Sequence, residues 1–259
     1  MSYISSPSPK LPSGLRLVKL ETGDSTNAEA RRRALAGEPG PLWIWSARQS
    51  QGRGRGGREW VSQPGNLFAS LLIGLNCPLR VASQLALVAG IVTFDTIAKL
   101  IAYEGRSEVL LKWPNDVLLA GEKVAGMLLE NVGGANENRS VVVIGTGINL
   151  ASHPENLPQP AVSLATYGMT VTPADALEAL AASTLEWLNR WGEGACFPTI
   201  RRAWLDRAGP TGRPLTVRVG SQEAEGVYGG LDADGALRLL MPGGGEYRVT
   251  AGDVFFSRR

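Results

Sequence analysis

Apolar residues fall along this chain in two rhythms, and each predicts its own kind of element. Residues 42–47 and 67–75 are short apolar runs that read as strands, the second entered through Pro64-Gly65-Asn66. Four more runs, 109–113, 117–119, 123–130 and 141–150, follow as expected strands of the same sheet, the middle two joined by the tight Ala120-Gly121-Glu122 turn. Between Val81 and Tyr103 leucine, valine and isoleucine occupy nearly all helical faces, which predicts a buried helix. Thr26 and Glu29 stand at capping-box spacing before residues 30–36, with Gly37 suited to a left-handed exit. A third helix is predicted from Thr172, with Pro173 and Asp175 in its first turn and Leu177, Leu180, Leu188 and Trp191 as its apolar stripe. A shorter one is expected over 198–208, stopping at Gly209.

Past Gly212 the rhythm shortens. Residues 215–219, 224–231, 236–240 and 246–250 read as four strands of a small barrel, with Asp234-Gly235 as a hairpin turn. The expected organisation is a flexible lead-in over 1–14 carrying Pro7, Pro9 and Pro12, a large unit over 15–211, and a small one over 212–259. A length of 259 residues with 44% hydrophobic content suits that division and supports a sizeable core.

Composition then narrows the chemistry. Twenty-six Lys and Arg against 24 Asp and Glu give a net charge of +2, too even for a general nucleic-acid or membrane binder, so any attraction for anions must be local. Cys77 and Cys196 show no paired metal spacing and read as reduced thiols; His153, the only histidine, sits in a loop-like Ser-His-Pro run and rules out any mechanism needing two imidazoles. The first ten residues lack the apolar stretch of a signal peptide, and a cytoplasmic location with no membrane association is expected.

Three segments stand out chemically. The run from Gln49 to Trp60 holds Gly52, Gly54, Gly56 and Gly57 among Arg53, Arg55 and Arg58: glycines that let backbone N–H groups approach an anion, and guanidinium forks suited to phosphate or carboxylate. Gly52, Gly54 and Gly57 match a dinucleotide fingerprint, but Pro64 and Gly65 stop the helix that it requires. A solvated loop and an arginine and glycine nucleic-acid tract are the other readings. Lys112-Trp113-Pro114-Asn115-Asp116, followed by Lys123, is either an ordinary turn or an anion-neutralising cluster. Lys123 opens an expected buried strand, where an ammonium is costly unless an anion meets it. Gly145-Thr146-Gly147-Ile148-Asn149 ends a valine-rich strand, as a bulged end or as a flat platform with Asn149 facing a base edge.

Ser25-Thr26-Asn27, Gln49, the 52–58 loop with Trp60, the 112–116 segment with Lys123, and 145–149 occur in the order seen in biotin protein ligases, which this chain resembles from about residue 17 to 254. The resemblance implies an α+β fold: a large mixed sheet with packed helices, related to class II aminoacyl-tRNA synthetases, and a small SH3-like C-terminal barrel. It implies a C–N ligase that activates biotin with ATP and Mg²⁺ as biotinyl-5′-adenylate and transfers it to one lysine of a biotin carboxyl carrier protein. By the same resemblance Ser25, Thr26, Asn27, Gln49 and Arg53 would bind biotin, and Gly52, Arg53, Gly54, Arg55 and Arg58 would form a loop closing on the adenylate. Lys123 would lie between carboxylate and α-phosphate, Trp60 and Asn149 would meet adenine, and Lys112 and Asn115 would also serve the nucleotide. Lys123, Arg55 and Asp116 are the catalytic candidates, Asp116 being either a base, a structural group or an aid to Mg²⁺. Gly56 departs from relatives that carry a third arginine there. The DNA-binding domain of the repressor members is not expected, nor DNA as a partner, and a homodimer is compatible. A lipoate or octanoate ligase of the same fold is the rival enzyme.

Overall fold

The computed structural model describes residues 8–101, 108–133, 137–155, 157 and 159–256. Seven strands form one sheet in the order β1-β2-β3-β7-β6-β5-β4, with β1 (Arg16–Leu20), β2 (Leu42–Ser46), β3 (Leu67–Leu75), β4 (Val109–Lys112), β5 (Asp116–Leu119), β6 (Glu122–Gly133) and β7 (Ser140–Ile148). β1 and β2 are parallel and every other neighbour is antiparallel, so the sheet is mixed.

Strand alternation gives this sheet two unlike faces. Trp43, Trp45, Leu67, Ala69, Leu71, Val142 and Ile144 point to one side and share a core with α3 (Leu85–Leu100), α4 (Pro173–Trp191) and α5 (Phe197–Leu205). Leu42, Ile44, Leu72 and Val143 point to the other, where Ala30 of α1 (Thr26–Leu35) covers them. Helix α1 covers only part of that face.

The buried run expected over 81–103 is two helices, α2 (Leu79–Ala82) and α3, with Tyr103 outside the described residues. The stretch Leu79–Leu100 is apolar and long enough to cross a membrane by composition, with a mean hydropathy of 1.6; here most of it is α3, a core helix of the fold. Helix α4 starts as its sequence predicts: Thr172 Oγ1 accepts from the Asp175 backbone N–H at 3.1 Å. At α1 the capping box does not form. Ser25 is the N-cap residue, and Thr26 turns its hydroxyl to Gln49 and Ser70. Of the lead-in, residues 1–7 lie outside the described part, Pro9 is buried, and the Lys10 N–H meets Glu178 at 2.5 Å.

The C-terminal unit is an antiparallel sheet of five strands, one more than expected, in the order β11-β10-β9-β8-β12. They are β8 (Pro214–Val219), β9 (Gln222–Leu231), β10 (Leu237–Leu240), β11 (Glu246–Val249) and β12 (Asp253–Phe256), and the unpredicted one is β12. Its core is continuous with that of the large sheet. Arg201 of α5 donates to the carbonyls of Leu231 and Asp232, and Trp113 Nε1 donates to the Gly235 carbonyl at 3.3 Å, so the two sheets are joined by packing and by hydrogen bonds.

Candidate active site

A cavity of about 640 Å³ opens over the uncovered part of the sheet. The strand register builds its floor. Asp116, Gly126, Gly147 and Phe68 lie side by side across β5, β6, β7 and β3, and two residues along, Leu128, Gly145 and Ser70 make the next row on the same face.

Of the glycines in these rows, Gly145 and Gly147 read in the sequence either as a bulged strand end or as a platform for a flat ligand. They receive protein side chains. A Cβ on Gly147 would stand 2.5 Å from Cε2 of Trp60, and one on Gly126 would stand 2.9 Å from Cζ3, so the indole lies flat in the space that the two glycines leave. Gly145 does the same for Asn27, whose amide oxygen lies where a Cβ would be.

Around Asn27 a chain of buried polar groups connects α1 to the sheet. Ser70 Oγ lies 2.5 Å from Asn27 Oδ1 and 2.7 Å from Thr26 Oγ1, Asn27 Nδ2 donates to Glu130 at 2.6 Å, and Gln49 Oε1 accepts from the Thr26 N–H at 2.8 Å and its hydroxyl at 3.2 Å. Gln49 Nε2 in turn donates to Ser62 at 2.9 Å. Ser25, Thr26 and Asn27, with Gln49 from 22 residues beyond, therefore line one end of the cavity, and hydrogen bonds fix the side chains of Thr26, Asn27 and Gln49. Ser70 and Glu130 were not anticipated; a lone serine inside the apolar run 67–75 was the available signal.

The cationic end is built by the β4–β5 hairpin. Lys112 and Asp116 are opposite each other across it, and Asp116 takes Lys123 at 2.6 Å on Oδ1 and Lys112 at 3.6 Å on Oδ2. Lys123 is not the sunken residue that its strand suggested: a quarter of its side chain is exposed, and its ammonium stands 5.3 Å from the Trp60 ring centroid, in the cavity. A bulge in the β5–β6 pairing between Val117 and Leu118 lies beside it. The buried lysine is Lys112, which donates to Gln159 at 2.8 Å and faces the Phe255 ring; burial pulls its pKa down against the raising effect of Asp116.

Asn115 and Asn149 have structural partners. Asn115 Nδ2 donates to the Met127 carbonyl at 2.5 Å, and Asn149 Nδ2 to that of Val162 at 3.1 Å, so part of the capacity expected to face a nucleotide holds backbone instead. Both still line the cavity.

The 49–60 loop forms the cavity's rim. Gly52 is packed so closely on Trp60 and Ser62 that a Cβ would stand 2.5 Å from Ser62 Oγ, and Gly56 and Gly57 take left-handed backbone at φ +68° and +76°. An arginine at 56 would have open space but that strained backbone, which explains why glycine suits this loop. Arg53 reaches Glu130 at 3.9 Å, while Arg55 and Arg58 both turn to Asp253 at the start of β12, at 2.5 and 2.9 Å. Sequence reasoning missed Asp253, Arg218 and Phe255, which bring the C-terminal sheet into the cavity wall.

Among the described residues no group of three or more His, Cys, Asp and Glu is placed to hold a metal. The cavity carboxylates Asp116 and Asp253 each already contact two cations. Both cysteines are free, Cys77 buried and Cys196 exposed.

Residues 22–149 match the family model of the biotin/lipoate A/B protein ligases, and residues 211–257 match that of the biotin protein ligase C-terminal domain. A biotin–[acetyl-CoA-carboxylase] ligase of Paracoccus denitrificans is 39% identical over 242 residues, which span 90% of this chain and 97% of that protein. The ligase of the same name from Mycobacterium tuberculosis is 32% identical over 250 residues, 93% of this chain and 88% of its own. Among solved structures, the biotin protein ligase of Aquifex aeolicus in complex with biotin and ATP superposes with a TM-score of 0.75 at 25% identity, covering 94% of this chain and 99% of that one. The chain belongs to the biotin protein ligase family.

Proposed function

We propose that this cavity activates biotin with ATP and passes the acyl group to a lysine of a biotin carboxyl carrier protein of the acetyl-CoA carboxylase type. The observation that carries the residue assignments is a cavity lined by Lys123 and Lys112 on Asp116 and by Arg55 and Arg58 on Asp253, with a fixed polar network around Asn27 that Arg53 reaches through Glu130. In the first step a carboxylate oxygen of biotin attacks the α-phosphorus of ATP and the bond to the β-phosphate bridge breaks, releasing pyrophosphate. Two anions brought to about 4 Å repel by roughly 4 kcal/mol at a protein-like dielectric, so cations must stand where they meet. We assign this role to Lys123, whose ammonium lies in the cavity beside Trp60 and Asp116. Asp116 orients it, because both oxygens of Asp116 already face ammonium groups, and we assign it no proton transfer.

Ser25, Thr26, Asn27 and Gln49 then define the ureido end of the biotin subsite, the 53–58 arginines meet phosphate, and Trp60 forms the wall shared by biotin and adenine. In the second step the carrier's lysine nitrogen attacks the acyl carbon, loses one proton, and AMP leaves with the former anhydride oxygen. No protein nucleophile is required. Magnesium would arrive on the ATP phosphates; Asp116 and Asp253 are paired with cations, and among the described residues no cluster of carboxylates forms a cage for it.

The test is biotin-dependent exchange of pyrophosphate into ATP. Lys123→Ala should lower its kcat by about 30- to 1000-fold, the range of 2–4 kcal/mol for an electrostatic stabiliser. Unchanged exchange removes Lys123 from the mechanism. Lipoate in place of biotin should give no exchange, and lipoate turnover at the biotin rate overturns the choice of substrate.

A further inference from the structure

Two guanidiniums of the rim loop converge on one carboxylate from the far end of the chain. Asp253 Oδ1 lies 2.5 Å from Arg55 Nη2 and 2.9 Å from Arg58 Nη2. Arg55 Nη2 also donates to the Gly252 carbonyl, and Arg58 Nε donates to the Arg55 carbonyl at 3.0 Å, which ties the two arginines together. Arg55, Arg58 and Asp253 all line the cavity that holds Lys123. Burial raises the Asp253 carboxyl, but Arg58 and Arg55 outweigh it and hold the group below the usual aspartate range, so it is charged near neutrality.

The two sides of this contact differ in freedom. β12 pairs with β8 along Asp253↔Arg218 to Phe256↔Leu215, and its sheet shares the main core. The loop carries Gly54, Gly56 and Gly57 around Arg55, none of them buried, and its backbone hydrogen bonds, Gly54 N–H to the Arg58 carbonyl and Trp60 N–H to that of Gly52, close it on itself without joining it to a sheet. A carboxylate and a phosphate offer an arginine fork the same acceptor geometry. The carboxylate therefore occupies donors that the function proposed above assigns to phosphate, and the inference rests on that assignment.

We propose that Asp253 is a positioning residue of the adenylation site: it holds Arg55 and Arg58 in the nucleotide-free protein and yields at least Arg55 to the phosphates of ATP. The C-terminal sheet thereby sets the affinity for nucleotide through an internal competitor. Removing the charge weakens the competitor without touching the arginines, so nucleotide should bind more tightly. Structural damage has the opposite effect.

The experiment is calorimetric titration of ATP into the full chain and into Asp253→Asn and Asp253→Glu. Asp253→Asn should bind ATP at least threefold more tightly, with biotin affinity within twofold of the parent, and Asp253→Glu should bind ATP as the parent does. Equal or weaker ATP binding by Asp253→Asn overturns the proposal, as does tightening by Asp253→Glu equal to that by Asp253→Asn. In the unmutated protein the side-chain N–H resonance of Arg55 should shift on addition of ATP, a reading that needs no variant; an unmoved resonance also overturns it. These are binding measurements, so failure of the ligase reading appears separately, as absent biotin-dependent pyrophosphate exchange in the parent protein.

Discussion

A methyl group added at Gly147 tests whether the floor of the cavity is shaped by Trp60. Its carbon would stand 2.5 Å from Cε2, 2.6 Å from Cζ2 and 2.8 Å from Nε1 of the indole. Carbon pairs rest at about 3.5–4.0 Å, so the ring must retreat by about 1 Å. Gly126 bounds the ring beside this contact, at 2.9 Å from the would-be methyl to Cζ3, and Lys123 faces the ring. Gly147 is not among the left-handed glycines, so alanine there has no backbone penalty and reduces unfolded-chain entropy, worth about 0.4–1 kcal/mol in favour of the fold. Overpacking costs about 1–3 kcal/mol, leaving a net loss of up to about 2.5 kcal/mol in urea unfolding. The displaced wall should lower kcat/KM in biotin-dependent pyrophosphate exchange by about 100-fold, the scale of a 1 Å misplacement. The deciding measurement is a double-mutant cycle in stability. With Trp60→Ala already in place, Gly147→Ala should cost nothing, a coupling of at least about 1 kcal/mol. An equal cost in both backgrounds refutes the steric account.

Two other outcomes follow from the same geometry. Ser70→Ala should lower stability by about 1–3 kcal/mol, because it leaves the buried Thr26 and Asn27 oxygens without their shared partner, and should raise KM for biotin more than KM for ATP; equal effects on both would show that the network does not belong to one subsite. Arg32, hydrogen-bonded through both terminal nitrogens, holds the Asp24 carboxyl at about 2, below its ordinary 3.8, and for this exposed pair the contribution is only about 0.5–1 kcal/mol. A depressed pKa contributes above the unfolded value and is lost as pH falls through the folded one, so the stability gap between the parent and Asp24→Asn should shrink below about pH 3.8 and close near pH 2. A gap independent of pH would assign it to something other than that carboxylate.

Six of the seven strands of the large sheet and most of the charged residues that line its cavity were legible because their signals are local: apolar runs of strand length, turn residues between them, and arginines and lysines beside glycine and proline; β1, whose Arg16 and Lys19 interrupt its apolar positions, was not expected. What escaped was decided by distant partners. Thr26 and Glu29 satisfy the capping-box spacing, yet Gln49 and Ser70, 23 and 44 positions away, take the Thr26 hydroxyl. Gly145 and Gly147 correctly marked a close approach, but nothing in the sequence says that Asn27 and Trp60 fill it. Lys123 was read as sunken because its run is apolar, while the cavity above it gives its ammonium access to solvent and Asp116 supplies the anion. β12 is four residues with no alternation to announce it, and its leading Asp253 gains meaning only from arginines almost 200 positions earlier.

Charge links these particulars. A whole-chain balance of +2 required any attraction for anions to be local. The cavity lining gathers Arg53, Arg55, Arg58, Lys112, Lys123 and Arg218 against Glu59, Asp116 and Asp253, six cations to three carboxylates, so its excess of +3 exceeds that of the entire chain. Asp116 and Asp253 each sit between two of those cations, which keeps the site from being a cluster of bare like charges. Such a cluster would be costly to fold, since like charges at these separations repel by several kcal/mol at a protein-like dielectric. The two carboxylates differ in how readily a substrate can displace them: Asp116 is buried within one hairpin, whereas Asp253 reaches the loop from another sheet. On the proposals made above, an incoming triphosphate finds one pair of cations fixed and the other exchangeable, which suits a site that must hold an activated acyl group and afterwards release AMP.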